Sequence, residues 1–355
     1  MSALCCTNLL SLLQAVPYQA APLPEEMTSF GGDDPLEVVP NVNLDYEVPR
    51  DNWQSIRPAI SAATDSRLPV AFVDGAVSSS EIAAGVQDSM GYARSIRAGQ
   101  LGVGALSLKD PEHSSISCDC FMAISTMGYS DAETEPLRAD LRNHPRVFDL
   151  ITWEATSDAY FRSQEEREAA IRDYTTVRTR LRRRVTDEML RREEQLVRRI
   201  DLPAYVDGRY VDHLPARSDQ LVVGVIKTMR RRYLDICRLP VLYSLELGER
   251  TPAFEVETKD VQVVSFYARI SPPLAGAVNG VVRVELGKAH FENYQQRDYS
   301  LLDALTVHMS RLHTRDLTYA RAAVTLEPIR VIEARVQRLF QPLEQITMSA
   351  LNALR

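Results

Sequence analysis

Several features that would settle a protein's class are missing from this sequence. No apolar run approaches the roughly 18 residues needed to cross a bilayer, so no membrane role is expected. No GxxxxGK[ST] occurs, so the chain has no P-loop with which to hydrolyse ATP. There are five cysteines, an odd count with no CxxC pair, which argues against a disulfide framework and fits reduced thiols. The six histidines are scattered. His308 and His313 are five apart, off the i, i+4 spacing of a helical zinc pair, so a zinc enzyme is not expected. The opening "MSALCCTNLLSLLQAV" lacks the positive region of a signal peptide, and the expected location is the cytoplasm.

What is present is ordinary globular composition: 355 residues, 45% hydrophobic and 25% charged. That is enough for one large domain or two smaller ones, with a core that needs no staples. Net charge is −7, but positive charge is concentrated mid-chain in "RTRLRRRV" (178–185) and "MRRRY" (229–233). These runs suit either a phosphate-lined channel or a solvated helical face paired to neighbouring Glu. Cys118 and Cys120 share one face of an expected strand, as small core residues or, less simply, as metal ligands. Leu9, Leu12, Leu13 and Val16 lie at helical spacing and suit a short amphipathic helix.

Residues 1–67 form a variable lead-in and candidate docking segment, with little regular structure expected over 17–67. The main domain is expected over 68–345, and 346–355 ends a C-terminal helix. Within the domain, "PVAFVDG", "GVGALSLK" and "SISCDCFMAIS" predict three sequential strands and hence an antiparallel meander. A long helix is predicted from Ser157 to Ile200, followed by the strand "LPAYVDG". Residues 220–239 read as a strand running into a helix. Two strands follow at 261–270 and 280–287, with a helical tail from Leu301. The order predicts an α/β fold, a mixed sheet flanked by helices. Ligands in such sheets gather outside the carboxyl ends of parallel strands.

Two apolar runs close on Asp-Gly, at Asp74 and Asp207. Asp-Gly is a favoured turn pair. It also places a carboxylate at a strand end. Stepping about 100° per residue along the long helix puts Glu193 at the centre of the stripe formed by Met189, Leu190, Leu196, Val197 and Ile200. Glu194 lies on the stripe's edge and Glu188 points nearly away. A carboxylate in mid-stripe is costly unless paired or metal-bound. Glu327, ahead of Pro328, would begin a helix, where an acidic side chain is favoured. Such an oxygen-only set suits Mg²⁺ or Mn²⁺, and two ions about 4 Å apart can hydrolyse a phosphodiester. Tyr205, Tyr210, Tyr233, Tyr243 and Tyr267 are candidates for stacking on bases or for simple packing.

The ordered set "VAFVDGA", "RREEQLVRRI", "AYVDGRY", "LVVGVIK", "FYARI…VVRVEL" and "RDLTYARAAVTLEPIRVIEA" resembles the NurA nuclease family over about residues 68–340. The resemblance implies a ribonuclease H-like, Argonaute-Piwi-like core. It implies a Mn²⁺- or Mg²⁺-dependent deoxyribonuclease, of 5′–3′ exonuclease and single-strand endonuclease type, with two ions in its centre. Such enzymes work as dimers with the HerA-type hexameric translocase in DNA end resection and repair. Residue by residue, Asp74, Glu193 (with Glu194 as the registry alternative) and Asp207 match the metal carboxylates, and Tyr319 matches the motif tyrosine. Glu327 falls where many members carry His or Asp, and Ala320 replaces a usual proline. Gly224 and Lys227 keep the glycine-lysine motif, and Lys227, Arg230 and Arg231 are the expected DNA contacts. Two other readings stay open: a catalytically inactive DNA-end-binding or regulatory subunit, and an RNA-directed nuclease of the same fold.

Overall fold

The structure, a computed structural model, describes residues 41–59, 65–87, 93–125, 131–154, 163–210, 215, 217–227, 233–257, 261–272, 278–315 and 322–354. In chain order the elements are β1 (Asn41–Asn43), β2 (Ala71–Gln87), β3 (Ala93–Ser107), β4 (Ser115–Ser125), α1 (Asp131–Asn143), β5 (Phe148–Trp153), α2 (Gln164–Ala170), α3 (Tyr174–Ile200), β6 (Ala204–Asp207) and β7 (Val222–Ile226). Then come α4 (Leu239–Ser244), β8 (Phe254–Glu257), β9 (Gln262–Arg269), β10 (Val281–Gly287), α5 (Lys288–Asn293), α6 (Ser300–Leu312), α7 (Glu327–Leu339) and α8 (Leu343–Ala353). Among the described residues no helix is long and apolar enough to cross a membrane.

The strands form one mixed sheet in the order β1-β8-β9-β10-β7-β6-β2-β3-β4-β5. The meander β2-β3-β4 is antiparallel throughout. β6 lies parallel to β2, and β7 parallel to β6. The run "AFV" that opens β2 is apolar at every position because both faces of the sheet are covered there. Ala71 and Val73 pack with Val177, Leu181, Val185, Leu196 and Val197 of α3. Phe72, on the opposite face, joins a second core with Leu301, Leu302 and Leu305 of α6 and Ile329, Ile332 and Val336 of α7. The far end of the meander packs against α1 and α8 through Ile96, Met122, Leu137, Leu141, Ile346 and Ala350.

Residues 220–239, read as a strand running into a helix, give β7 and then non-helical turns over 233–238, with α4 beginning only at Leu239. Four further expectations change. β2 does not end at Asp74 but continues to Gln87, paired with β3 along its length. The long helix is two helices. Asp173 interrupts the run, and its carboxylate accepts hydrogen bonds from the backbone N–H of Thr175 at 3.3 Å and Thr176 at 2.9 Å. That side chain satisfies donors the first turn of α3 would otherwise leave unpaired. Asp173→Ala is therefore expected to cost about 1 kcal/mol, read as a lower urea midpoint with unchanged m-value. The mixed stretch before the helix contains α1 and the edge strand β5, and β8 adds a further strand that the apolar pattern is too short to announce.

The lead-in is the fourth. Its described part carries β1, paired to β8 at the opposite sheet edge. The segment is strapped down by charge. Arg250, 1% exposed in its side chain, donates to Glu47 at 2.8 and 2.9 Å and to Asp303 at 2.7 Å. Arg238 lies over the Trp53 ring and pairs with Asp45 and Asp235. The proposed amphipathic helix over Leu9–Val16 lies outside the described residues.

Candidate metal centre

The register of the parallel strands positions two of the aspartates. Ala71, Phe72 and Val73 stand opposite Ala204, Tyr205 and Val206. Asp74 and Asp207 are each the next residue, just past the carboxyl end of this parallel ladder, while β2 itself runs on as the antiparallel partner of β3. Side chains alternate along a strand, so both leave the sheet on the face of Phe72 and Tyr205. The two Asp-Gly pairs then differ. Gly208 follows the end of β6 with φ of +119°, a turn that favours glycine. Gly75 is inside β2 and serves another purpose. A Cβ there would stand 2.5 Å from Glu193 Oε1 and 2.8 Å from Met189 Cγ. The glycine leaves room for the Glu193 carboxylate to lie against the strand.

Three carboxylates from β2, α3 and β6 come near enough here for their charges to act on one another, Asp74 and Asp207 on one face of the sheet and Glu193 against Gly75 on the α3 face. Asp74 and Glu193 are each 6% exposed. Burial, with Asp207 close by, holds the Asp74 carboxyl well above the usual carboxylate range. Burial, then the charges of Asp74 and Asp207, does the same to Glu193. The Gly75 N–H partly offsets both and donates to Asp74 Oδ1 at 2.9 Å. Lys227, just past β7, places its Nζ 2.7 Å from Asp207 Oδ2, and its charge also acts on Asp74 and Glu193. Beside it Gly224 is pressed under the turn after β6, where a Cβ would come within 2.6 Å of the Tyr210 nitrogen.

Glu194, the registry alternative, is turned to Arg198 at 2.8 Å. Glu188, expected to point away, is instead buried and held by Arg191 and Arg192, while Arg192 also reaches Asp119 on β4 and Asp149 on β5. Glu327 starts α7 and pairs with Arg330 at 2.5 Å beside a surface pocket that Arg311, His313 and Arg315 also line. The α7 carboxylate whose charge reaches Asp74 is Glu333. The helical wheel holds that signal. Relative to the Ile329–Ile332–Val336 stripe, Glu333 lies about 70° from the centre and Glu327 about 170° away.

The basic run of α3 is partly spent on structure. Arg178 pairs with Glu81 of β2 at 3.2 Å, Arg180 is buried, and Arg184 donates to the Thr152 carbonyl. Tyr205, Tyr210 and Tyr267 are buried, Tyr205 against Phe72 and His308, so none of these three offers a face to a base; Tyr243 is exposed. Burial pushes the Cys118 thiol up to about 11. Tyr319, Arg230 and Arg231 lie outside the described residues.

The donor set suits a hard divalent cation. It is all oxygen, buried, and in excess over the one ammonium that touches it. Among the described residues no group of three or more His, Cys, Asp or Glu side chains is placed so as to hold a metal ion. The carboxylates are gathered, with Lys227 on one of them. Gly75→Ala is expected to fold, since the obstructing atoms belong to side chains that can move, but to push Glu193 off the strand. The displacement would register as a lower urea midpoint with an unchanged m-value.

The fold and site thus define an α/β protein with a buried carboxylate cluster where parallel strands end. No known family profile matches the chain, and no curated protein matches it. Among solved structures it is similar to the crystal structure of the NurA nuclease from Sulfolobus solfataricus, at 13% identity, covering 80% of this chain and 81% of that one, with a TM-score of 0.33. A likeness at that level assigns neither activity nor site.

Proposed function

We propose that this chain is a divalent-metal-dependent DNA nuclease of the NurA type. The observation that carries the reading is the convergence of Asp74, Glu193 and Asp207, drawn from β2, α3 and β6, on one rim of the sheet, with Asp74 and Glu193 buried. Buried carboxylates in charge excess are expensive unless they serve a cation. Asp74, Glu193, Asp207 and, from α7, Glu333 would hold it. Mn²⁺ or Mg²⁺, one or two ions, supplies when bound the charge that activates water and stabilises the departing oxygen of a phosphodiester. The chain's own part is to fix these oxygens. Gly75 admits Glu193 to the strand, the parallel ladder sets Asp74 beside Asp207, and the α3 and α7 layers keep bulk water from the carboxylate stems.

The order β4-β3-β2-β6-β7, a meander with two parallel strands laid against its first member, supports a ribonuclease H-like core. Asp74 on the first strand, Glu193 on the helix before β6 and Asp207 on the next parallel strand agree with the motif positions of the resemblance. Its further implications belong to the same proposal: 5′–3′ exonuclease and single-strand endonuclease action, a homodimer, a HerA-type translocase as partner, and a cytoplasmic setting. One observation favours the inactive DNA-end-binding subunit instead, namely that Lys227 already neutralises Asp207.

Labelled single-stranded DNA, double-stranded DNA and RNA incubated with the purified chain and Mn²⁺ separate the readings. Cleavage of DNA that stops on addition of chelator is the expected result. Binding of DNA ends without cleavage, with the translocase present as well as absent, would favour the inactive subunit. Preferential cleavage of RNA would overturn the substrate assignment.

A further inference from the structure

We propose that Lys227 is the resident counter-cation of the carboxylate cluster, and that it leaves Asp207 when a divalent ion binds. The proposal rests on the reading of the cluster as a metal centre. A lysine just past a strand would ordinarily lay its stem along the surface and keep its head in water. Lys227 does the opposite: its side chain is 4% exposed and its Nζ donates to Asp207 Oδ2 at 2.7 Å. The β6–β7 ladder makes this possible. Asp207 stands opposite Val225, so the chain two residues on passes the end of β6.

One ammonium therefore bonds Asp207, and its charge also acts on Asp74 and Glu193. The oxygen it holds is among those a hard cation requires. An ammonium and a divalent ion cannot both sit at bonding distance from that carboxylate without placing like charges nearly in contact, in surroundings that screen them poorly. Ion binding is then an exchange. The lysine keeps Asp207 neutralised and in place while the site is empty of metal, and its displacement weakens metal binding below what the carboxylates alone would give. Lys227 is in this sense a positioning residue.

The test measures Mn²⁺ binding to the full chain by electron paramagnetic resonance, without substrate, for the native protein, Lys227→Met and Lys227→Arg. Lys227→Met is expected to bind about 10–100-fold more tightly than the native chain, the range over which groups around a metal site tune its affinity. Lys227→Arg, which keeps the charge, should stay near native. A second measurement needs no variant to fold well. In native protein carrying ¹⁵N-labelled lysine, the protected Lys227 ammonium signal should move or vanish as Mg²⁺ is added. Equal or weaker Mn²⁺ binding by Lys227→Met, or a Lys227 signal unchanged at saturating Mg²⁺, overturns the proposal. If DNA cleavage still depends on Asp74 in that case, the nuclease reading stands without it. Absence of Mn²⁺ binding in all three proteins overturns both.

Discussion

Asp74→Asn is expected to abolish cleavage and yet to melt at a higher temperature than the native protein in chelator at neutral pH. Loss of a metal carboxylate from a concerted catalytic set should lower the single-turnover rate by about a thousandfold or more. The stability change has the opposite sign because the carboxyl groups of Asp74 and Glu193 are held above their usual range, chiefly by burial and then by neighbouring carboxylates. A carboxyl raised in the folded state contributes stability that is full below the unfolded value, about 4, and is lost as pH climbs through the raised value. As pH climbs through the raised value the metal-free native fold loses that contribution, whereas the Asp74→Asn variant carries an amide that does not titrate. Melting curves from pH 4 to 8 in chelator should show the variant's advantage shrinking as pH falls. Added Mn²⁺ should close the gap from the other side by stabilising only the native chain. A variant that melts below the native protein at neutral pH would mean that Asp74 is better paired than its surroundings suggest.

Arg250→Ala should produce the largest loss of stability, about 3–5 kcal/mol, because removing one member of a buried ionic group leaves its partners charged and unpaired. Arg250 is fully enclosed; Glu47 would keep only the Ala253 N–H, and Asp303 would be left to water. Equilibrium unfolding in urea measures the cost. Replacing Arg250 and Glu47 together by leucine should cost much less than Arg250→Ala alone. Equal costs would show that the arginine acts through packing and not through its charge.

The meander and the helix-covered mixed sheet are legible because apolar runs such as "VAFV" and "FMAIS" carry their own signal. The lead-in is not, because Asp45, Glu47 and Trp53 find their partners about 190 residues or more downstream or in a neighbouring carbonyl, and composition does not encode such pairings. Glu193 is legible from its place in an apolar stripe. The same wheel applied to α7 sets Glu333 nearer the apolar stripe than Glu327, which a proline and a helix start single out. Gly75 reads as a turn residue because Asp-Gly has that meaning locally; its contact with Glu193 exists only once α3 crosses β2. Lys227 reads as a surface lysine for the same reason. Its partner, Asp207, is 20 residues away and on a different strand.

Six strands lie on one side of the β2–β6 boundary and four on the other, and three register pairs join them there. A sheet resists shear in proportion to the length of ladder that spans it. This one is longest-bonded along β2 and β3 and far shorter at the seam where Asp74 and Asp207 stand side by side. The spacing of the two aspartates is thus set across one of the shortest ladders of the sheet.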